Sequence, residues 1–135
     1  MHTKILVSSI SVTLFRVMLS GIFLMASASH LLNVDHAIQR INQAKFKEIA
    51  YVFGDPKFTV IASGIGMLIA GISLMIGLKV KWAAIILALI LIPITLTIQV
   101  GSMDSLGPLF KNIAIMGGLL FFIMNDYNSV QQKTL

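Results

Sequence analysis

The sequence predicts an all-α fold: a polytopic membrane protein, an antiparallel four-transmembrane-helix bundle with an amphipathic interfacial helix between the first and second spans. Three observations predict it. Hydrophobic residues make up 57% of the chain against 11% charged, and a mean hydropathy of +0.93 belongs to a chain whose main solvent is lipid. Four apolar segments, about residues 10–32, 58–78, 82–100 and 108–124, approach the roughly 20 residues a helix needs to cross about 30 Å of hydrocarbon. The stretch at about 34–53 instead repeats apolar side chains at helical spacing beside a polar face. With 135 residues the chain reads as a single domain, 1–135.

The same composition narrows the function. The net charge is +5, but the ten basic residues are scattered along the chain and form no stripe with interleaved aromatics. Lipid headgroups, not nucleic acid, are the expected counterions. There is no cysteine, which removes thiolate catalysis, disulfide exchange and Cys-ligated metals.

The first span opens with MHTKILVSSISV, a basic start followed by an apolar run, and Ala26-Ser27-Ala28 has the small-x-small form of a cleavage site. Arg16 interrupts that run and the site falls well inside the span, so the segment is expected to be retained as a helix. Arg16, in TLFRVMLSG, is the conspicuous residue, because a guanidinium within hydrocarbon costs roughly 2.5–3.5 kcal/mol on insertion scales. Ser20, Phe23, Ser27 and His30 follow it at +4, +7, +11 and +14, one seam of a helix, which is expected to face inward. Two roles are open to Arg16: an interior staple hydrogen-bonding backbone carbonyls, with Asp126 beyond the fourth span as its acidic partner, or a ligand contact.

In the amphipathic segment Val34, Ala37, Ile38, Ile41, Ile49 and Val52 share a face, with Arg40, Gln43 and Lys47 opposite. Lys45 and Glu48 interrupt the apolar stripe at a spacing that lets them pair. FGDPKF, with Gly54, Asp55 and Pro56 in turn order, ends it. The second span carries Gly64 and Gly71, with Gly66, Ala70 and Ser73 on an adjoining stripe, so neighbouring backbones can approach closely there. In the third, Pro93 frees the carbonyl of Leu89, and Thr95 and Thr97 are placed to satisfy such groups. The fourth is expected to start with Ser105 or Gly107 as cap and Pro108 at its first helical position, and to pack through Gly117 and Gly118.

An even number of spans puts both ends and the Lys79–Lys81 hairpin on one side. The Lys/Arg count ties between sides. The hairpin lies tight against two span ends, where the positive-inside rule acts most strongly, so cytoplasmic N and C termini are expected.

On the opposite side polar groups from three spans gather. His30 ends the first, Gln99 ends the third, Lys111 and Asn112 open the fourth, and Asp104 lies in the loop between. An antiparallel bundle brings these ends level and predicts a polar pocket. Lys111 sits in a first helical turn, where the macrodipole disfavours a cation by roughly 0.3–1 kcal/mol, so it calls for a partner. It is either an anchor paired with Asp104 or a ligand group. His30, His36 and Asp35 do not have metal-ligand spacing, and the eight methionines are scattered through the spans as lipid-facing or packing residues, so no metal site is expected.

RVMLSGIFLMASASH resembles the first-span signature of the DoxX family, with Ser27 where Gly is usual and His30 where Lys is usual. GPLFKNIAIMGGLL resembles that family's fourth-span signature, a Lys-Asn pair before an apolar stretch and a Gly pair, and ASGIGMLIAGISLMIGL resembles its glycine-rich second helix. The resemblance implies a compact four-helix bundle in a bacterial cytoplasmic (inner) membrane. Members are associated with quinone-linked redox systems such as thiosulfate:quinone oxidoreductase, with membrane complexes against oxidative stress and, in distant animal relatives, with receptor assembly. The wider fold resembles vitamin K epoxide reductase-like proteins, whose paired-cysteine chemistry does not carry over to a chain without cysteine.

Three functions are therefore expected in order. The first is an accessory subunit of a membrane redox system, not catalytic alone, that binds a quinone or similar lipophile through His30, Gln99, Lys111 or Asn112. No tightly bound cofactor is expected, since no haem ligand pair, flavin motif or metal cluster is visible. The second is an assembly or scaffold partner for another membrane or peripheral protein, and the third an oligomeric transporter, which 135 residues would build only as a homo-oligomer.

Overall fold

The computed structural model describes residues 7–52, 54–99 and 103–125 of the chain, and the side chains of Gln99 and Ser105 lie outside what is described, as does Asp126. Among the described residues four helices are long and apolar enough to cross a membrane: Ser9–Leu32, Pro56–Ile76, Val80–Ile98 and Leu106–Met124. No strand occurs among the described residues.

Helix α1, Ser9–Leu32, buries Val12, Arg16, Leu19, Ser20, Phe23 and Ser27, so the seam read from the sequence is its inward face. Ile10, Met18, Met25 and Leu32 stand exposed on the other side, where acyl chains replace water as the solvent. The amphipathic segment is not one helix. It forms α2, Val34–Gln43, and α3, Lys47–Tyr51, separated where Ala44 turns extended at ψ 144°. A straight helix over residues 34–53 would run about 30 Å. The break folds Ala50 back against Ile41 and Val60, and these three form a small buried cluster beside the main core. Lys45 and Glu48 are both exposed.

Helix α4, Pro56–Ile76, begins with Pro56 at its first position and an Asp55 cap whose carboxylate accepts from the Lys57 N–H at 3.0 Å. It ends at Gly77, whose left-handed φ of +83° lets the N–H groups of Gly77 and Leu78 both reach the Ser73 carbonyl. The hairpin returns through Lys79, also left-handed, into α5, Val80–Ile94. Pro93 has no N–H to donate, and the helix widens immediately after it into a π-turn, Thr95–Gln99. Thr95 Oγ1 donates to the Leu91 carbonyl at 2.8 Å, so it is the turn around Leu91 that the threonine satisfies. A 3₁₀ turn, Met103–Ser105, runs directly into α6, Leu106–Met124. Pro108 is thus the third helical residue and not the first. That costs nothing in hydrogen bonds, because none of the first four N–H groups has an intrahelical acceptor.

Each span packs on the next in the chain, α1 against α4, α4 against α5 and α5 against α6. The ring closes between α6 and α1 through aromatic side chains: Phe15 stands 5.6 Å from Phe121 and 5.2 Å from Phe122. Glycines set the closest approaches. A Cβ on Gly64 would lie 2.9 Å from Leu31, one on Gly71 3.0 Å from Leu24, one on Gly66 2.9 Å from Ile90 and one on Gly118 3.0 Å from Phe15. Ala70 is buried in the core with Met67 and Leu74. Gly117, expected on the packing face, points the other way. It is exposed, with no neighbouring atom within 4 Å, because adjacent helical residues differ by about 100° in direction and only Gly118 faces α1.

Candidate functional site

A cavity of about 430 Å³ opens at the end of the bundle where α1 finishes and α4 begins, between α1, α2, α4 and the last turns of α5. Its wall is largely apolar, from Phe58 of α4 and from Leu89, Ile90, Pro93 and Ile94 of α5. Pro93 and the π-turn shape that wall, since a widened last turn carries Thr97 and Ile98 into the lining. His30 and Ser63 form the polar end, with His30 Nδ1 3.1 Å from Ser63 Oγ. His36 and Arg40 enter from α2, which lies across this end of the bundle. All charged or titratable groups in the lining are basic or imidazole. Among the described residues no three His, Cys, Asp or Glu side chains come together as metal ligands.

The geometry that holds His30 here starts one turn earlier on α1. Ser27 is buried, and its hydroxyl donates to the Gly64 carbonyl across the helix pair at 2.9 Å. That bond and the absence of a side chain at Gly64 let the two helices approach closely, placing the Cβ of His30 3.2 Å from where a Gly64 Cβ would be. His30 therefore reaches Ser63, the residue beside Gly64, without a long side chain.

The other residues of the expected outer pocket go elsewhere. Asn112 is buried, but its Nδ2 donates to Thr95 Oγ1 at 3.0 Å and so ties α6 to the π-turn. Lys111 and Asp104 are exposed, and neither lines the cavity. The side chain of Gln99 lies outside the described residues. The cavity thus involves the first, second and third spans and α2, where the sequence pointed to the first, third and fourth. His36, Arg40, Thr59 and Ser63 are among the lining residues that the sequence did not assign to a pocket. Arg40 carried a signal, as the cation opposite the apolar stripe of α2, but nothing in its spacing says that this face looks into a cavity.

Arg16 occupies the opposite end of the bundle. Only 6% of it is exposed, and its Nε and Nη1 have no hydrogen-bond partner among the described residues. The guanidinium packs on the left-handed turn that ends α4, with its Cζ 3.0 Å from where a Gly77 Cβ would be. A cation at a helix C-terminus faces the negative end of the macrodipole, a favourable placement. Asp126 lies outside the described residues.

The DoxX family profile matches residues 11–100. The chain belongs to the DoxX family. The match runs from the first span through the third, so the motif GPLFKNIAIMGGLL of the fourth span lies beyond it. No curated protein and no solved structure shows a significant match. With the four apolar helices, membership makes this DoxX protein an integral membrane protein.

Proposed function

We propose that this DoxX protein binds a lipophilic small molecule of quinone type in the cavity between α1, α2, α4 and α5, as the accessory subunit of a membrane redox system. The cavity is the observation that carries the reading. Its volume of about 430 Å³ falls within the roughly 300–1,000 Å³ usual for small-molecule sites, and its apolar wall with a polar His30–Ser63 end suits a ring with oxygen substituents and a hydrocarbon tail. On this reading a redox partner protein supplies the electron chemistry, and a paired-cysteine route is closed to a chain without cysteine. The protein resides in a bacterial cytoplasmic membrane with its termini inside, and the cavity opens on the far side.

The test is ligand binding by the protein in nanodiscs, comparing the native chain with Ala62→Trp. Ala62 lines the cavity but is itself exposed, so the indole fills the site without overpacking the core. Saturable binding of a decyl-substituted quinone or hydroquinone by the native chain, lost in Ala62→Trp at an unchanged melting temperature, is expected. Equal binding by both proteins would place the ligand elsewhere.

A second reading is favoured by one observation: Gly117 on α6 presents a glycine to the outside with nothing within 4 Å, a place where another transmembrane helix can approach. The protein would then act as an assembly partner. Crosslinking from Gly117→Cys in native membranes should recover one dominant protein under that reading, and bulk membrane proteins otherwise.

A further inference from the structure

The hydrogen bonds around His30 determine which kind of polar group the cavity accepts. Ser63 Oγ lies 2.9 Å from the Val60 carbonyl one turn earlier in α4 and donates its hydrogen there. A serine hydroxyl has a single hydrogen, so towards His30 Nδ1, 3.1 Å away, the same oxygen can act only as acceptor. With the hydroxyl hydrogen on the Val60 carbonyl, Nδ1 carries the imidazole hydrogen. In the neutral imidazole this leaves a lone pair on Nε2, the ring nitrogen that Ser63 does not engage, and His30 is among the residues lining the cavity.

The neighbouring hydroxyl behaves alike. Thr59 Oγ1, also in the lining, donates to the Asp55 carbonyl at 3.2 Å and offers the cavity only lone pairs. The α1–α4 side is therefore rich in acceptors. Arg40 of α2, also in the lining, is a donor and nothing else. A group that both donates and accepts matches a lining that offers acceptors and a cationic donor. A ring hydroxyl does both, whereas a carbonyl or an ether oxygen can only accept.

We infer that the cavity selects the hydroxyl-bearing, reduced form of its lipophilic ligand, a phenol or hydroquinone whose O–H donates to His30 Nε2, over the oxidised carbonyl form. This rests on the cavity being the ligand site proposed above. It assigns His30 as the residue that distinguishes the two forms and Ser63 as the positioning residue that sets its tautomer.

Three probes separate the possibilities: a decyl-substituted hydroquinone, the corresponding quinone, and the di-O-methyl ether of the hydroquinone. Their affinities are measured by anaerobic equilibrium binding to the full chain in nanodiscs. The hydroquinone is expected to bind about tenfold more tightly than either of the others, the effect of one net hydrogen bond. His30→Phe should level the three affinities while leaving the ether's affinity unchanged. Ser63→Ala, which removes the acceptor that fixes the hydrogen on Nδ1, should reduce the preference in the same direction. Because the comparison of probes uses the native chain, it stands even where a variant fails to fold. Quinone or ether binding as tightly as the hydroquinone would overturn the selectivity and leave the cavity as a ligand site. Binding of none of the three would overturn both.

Discussion

The buried amide of Asn112 ties α6 to the π-turn of α5, with Nδ2 3.0 Å from Thr95 Oγ1, while Lys111 beside it is exposed. Their substitutions should therefore differ. Asn112→Ala leaves a hydroxyl in the bundle without its donor and is expected to destabilise by about 1–2 kcal/mol, whereas Lys111→Ala should stay within about 0.5 kcal/mol of the native chain. Unfolding by denaturant titration in mixed micelles measures both. A larger loss at Lys111 than at Asn112 would contradict the bonding seen here. At this scale the sequence marks which residues are unusual but not which partners they meet. Arg16, Ser27, His30 and Asn112 stand out as polar groups in apolar spans, and three of them are buried, with His30 half-buried. Ser63 does not stand out, since a serine on a glycine-rich helix reads as one more small packing residue.

Among the elements, the α1–α4 pair positions the cavity, and Gly64 is its closest point. A Cβ there would stand 2.9 Å from both Cγ and Cδ2 of Leu31. Gly64→Val should push the two helices apart at a cost of about 1–3 kcal/mol and weaken ligand binding with it, because His30 and Ser63 sit on either side of that contact. Gly117→Ala, with open space around it, should leave stability unchanged or raise it by up to about 1 kcal/mol. Melting temperatures of the two variants in one detergent decide the matter, and a loss at Gly117 equal to that at Gly64 would show that Gly117 packs against something in the assembly. Helix existence followed from length and hydropathy alone. The division of the amphipathic segment at Ala44 did not, because the residues there have no strong breaker and the turn is made by packing Ala50 under the bundle.

For the whole molecule, the absence of cysteine gives a clean background for topology. Lys45→Cys, between α2 and α3, should react with a membrane-impermeant maleimide from outside intact cells, and Lys81→Cys, at the start of α5, only after permeabilisation. The reverse pattern would invert the orientation and put the cavity on the cytoplasmic side. Neither outcome changes the number of crossings. The sequence by itself determined that number, the all-α class, the family and the inward seam of α1, because hydropathy and helical periodicity are properties of consecutive residues. Only the tertiary structure decided where the polar ends meet. His30 joins Ser63, His36 and Arg40 at a cavity while Asn112 bonds Thr95, and no local pattern distinguishes these outcomes. The reason is physical: four antiparallel rods can be arranged around a centre in several orders, each bringing different span ends together. The glycine contacts and the aromatic closure from Phe15 to Phe121 and Phe122 select among those orders, and they exist only once the helices are assembled.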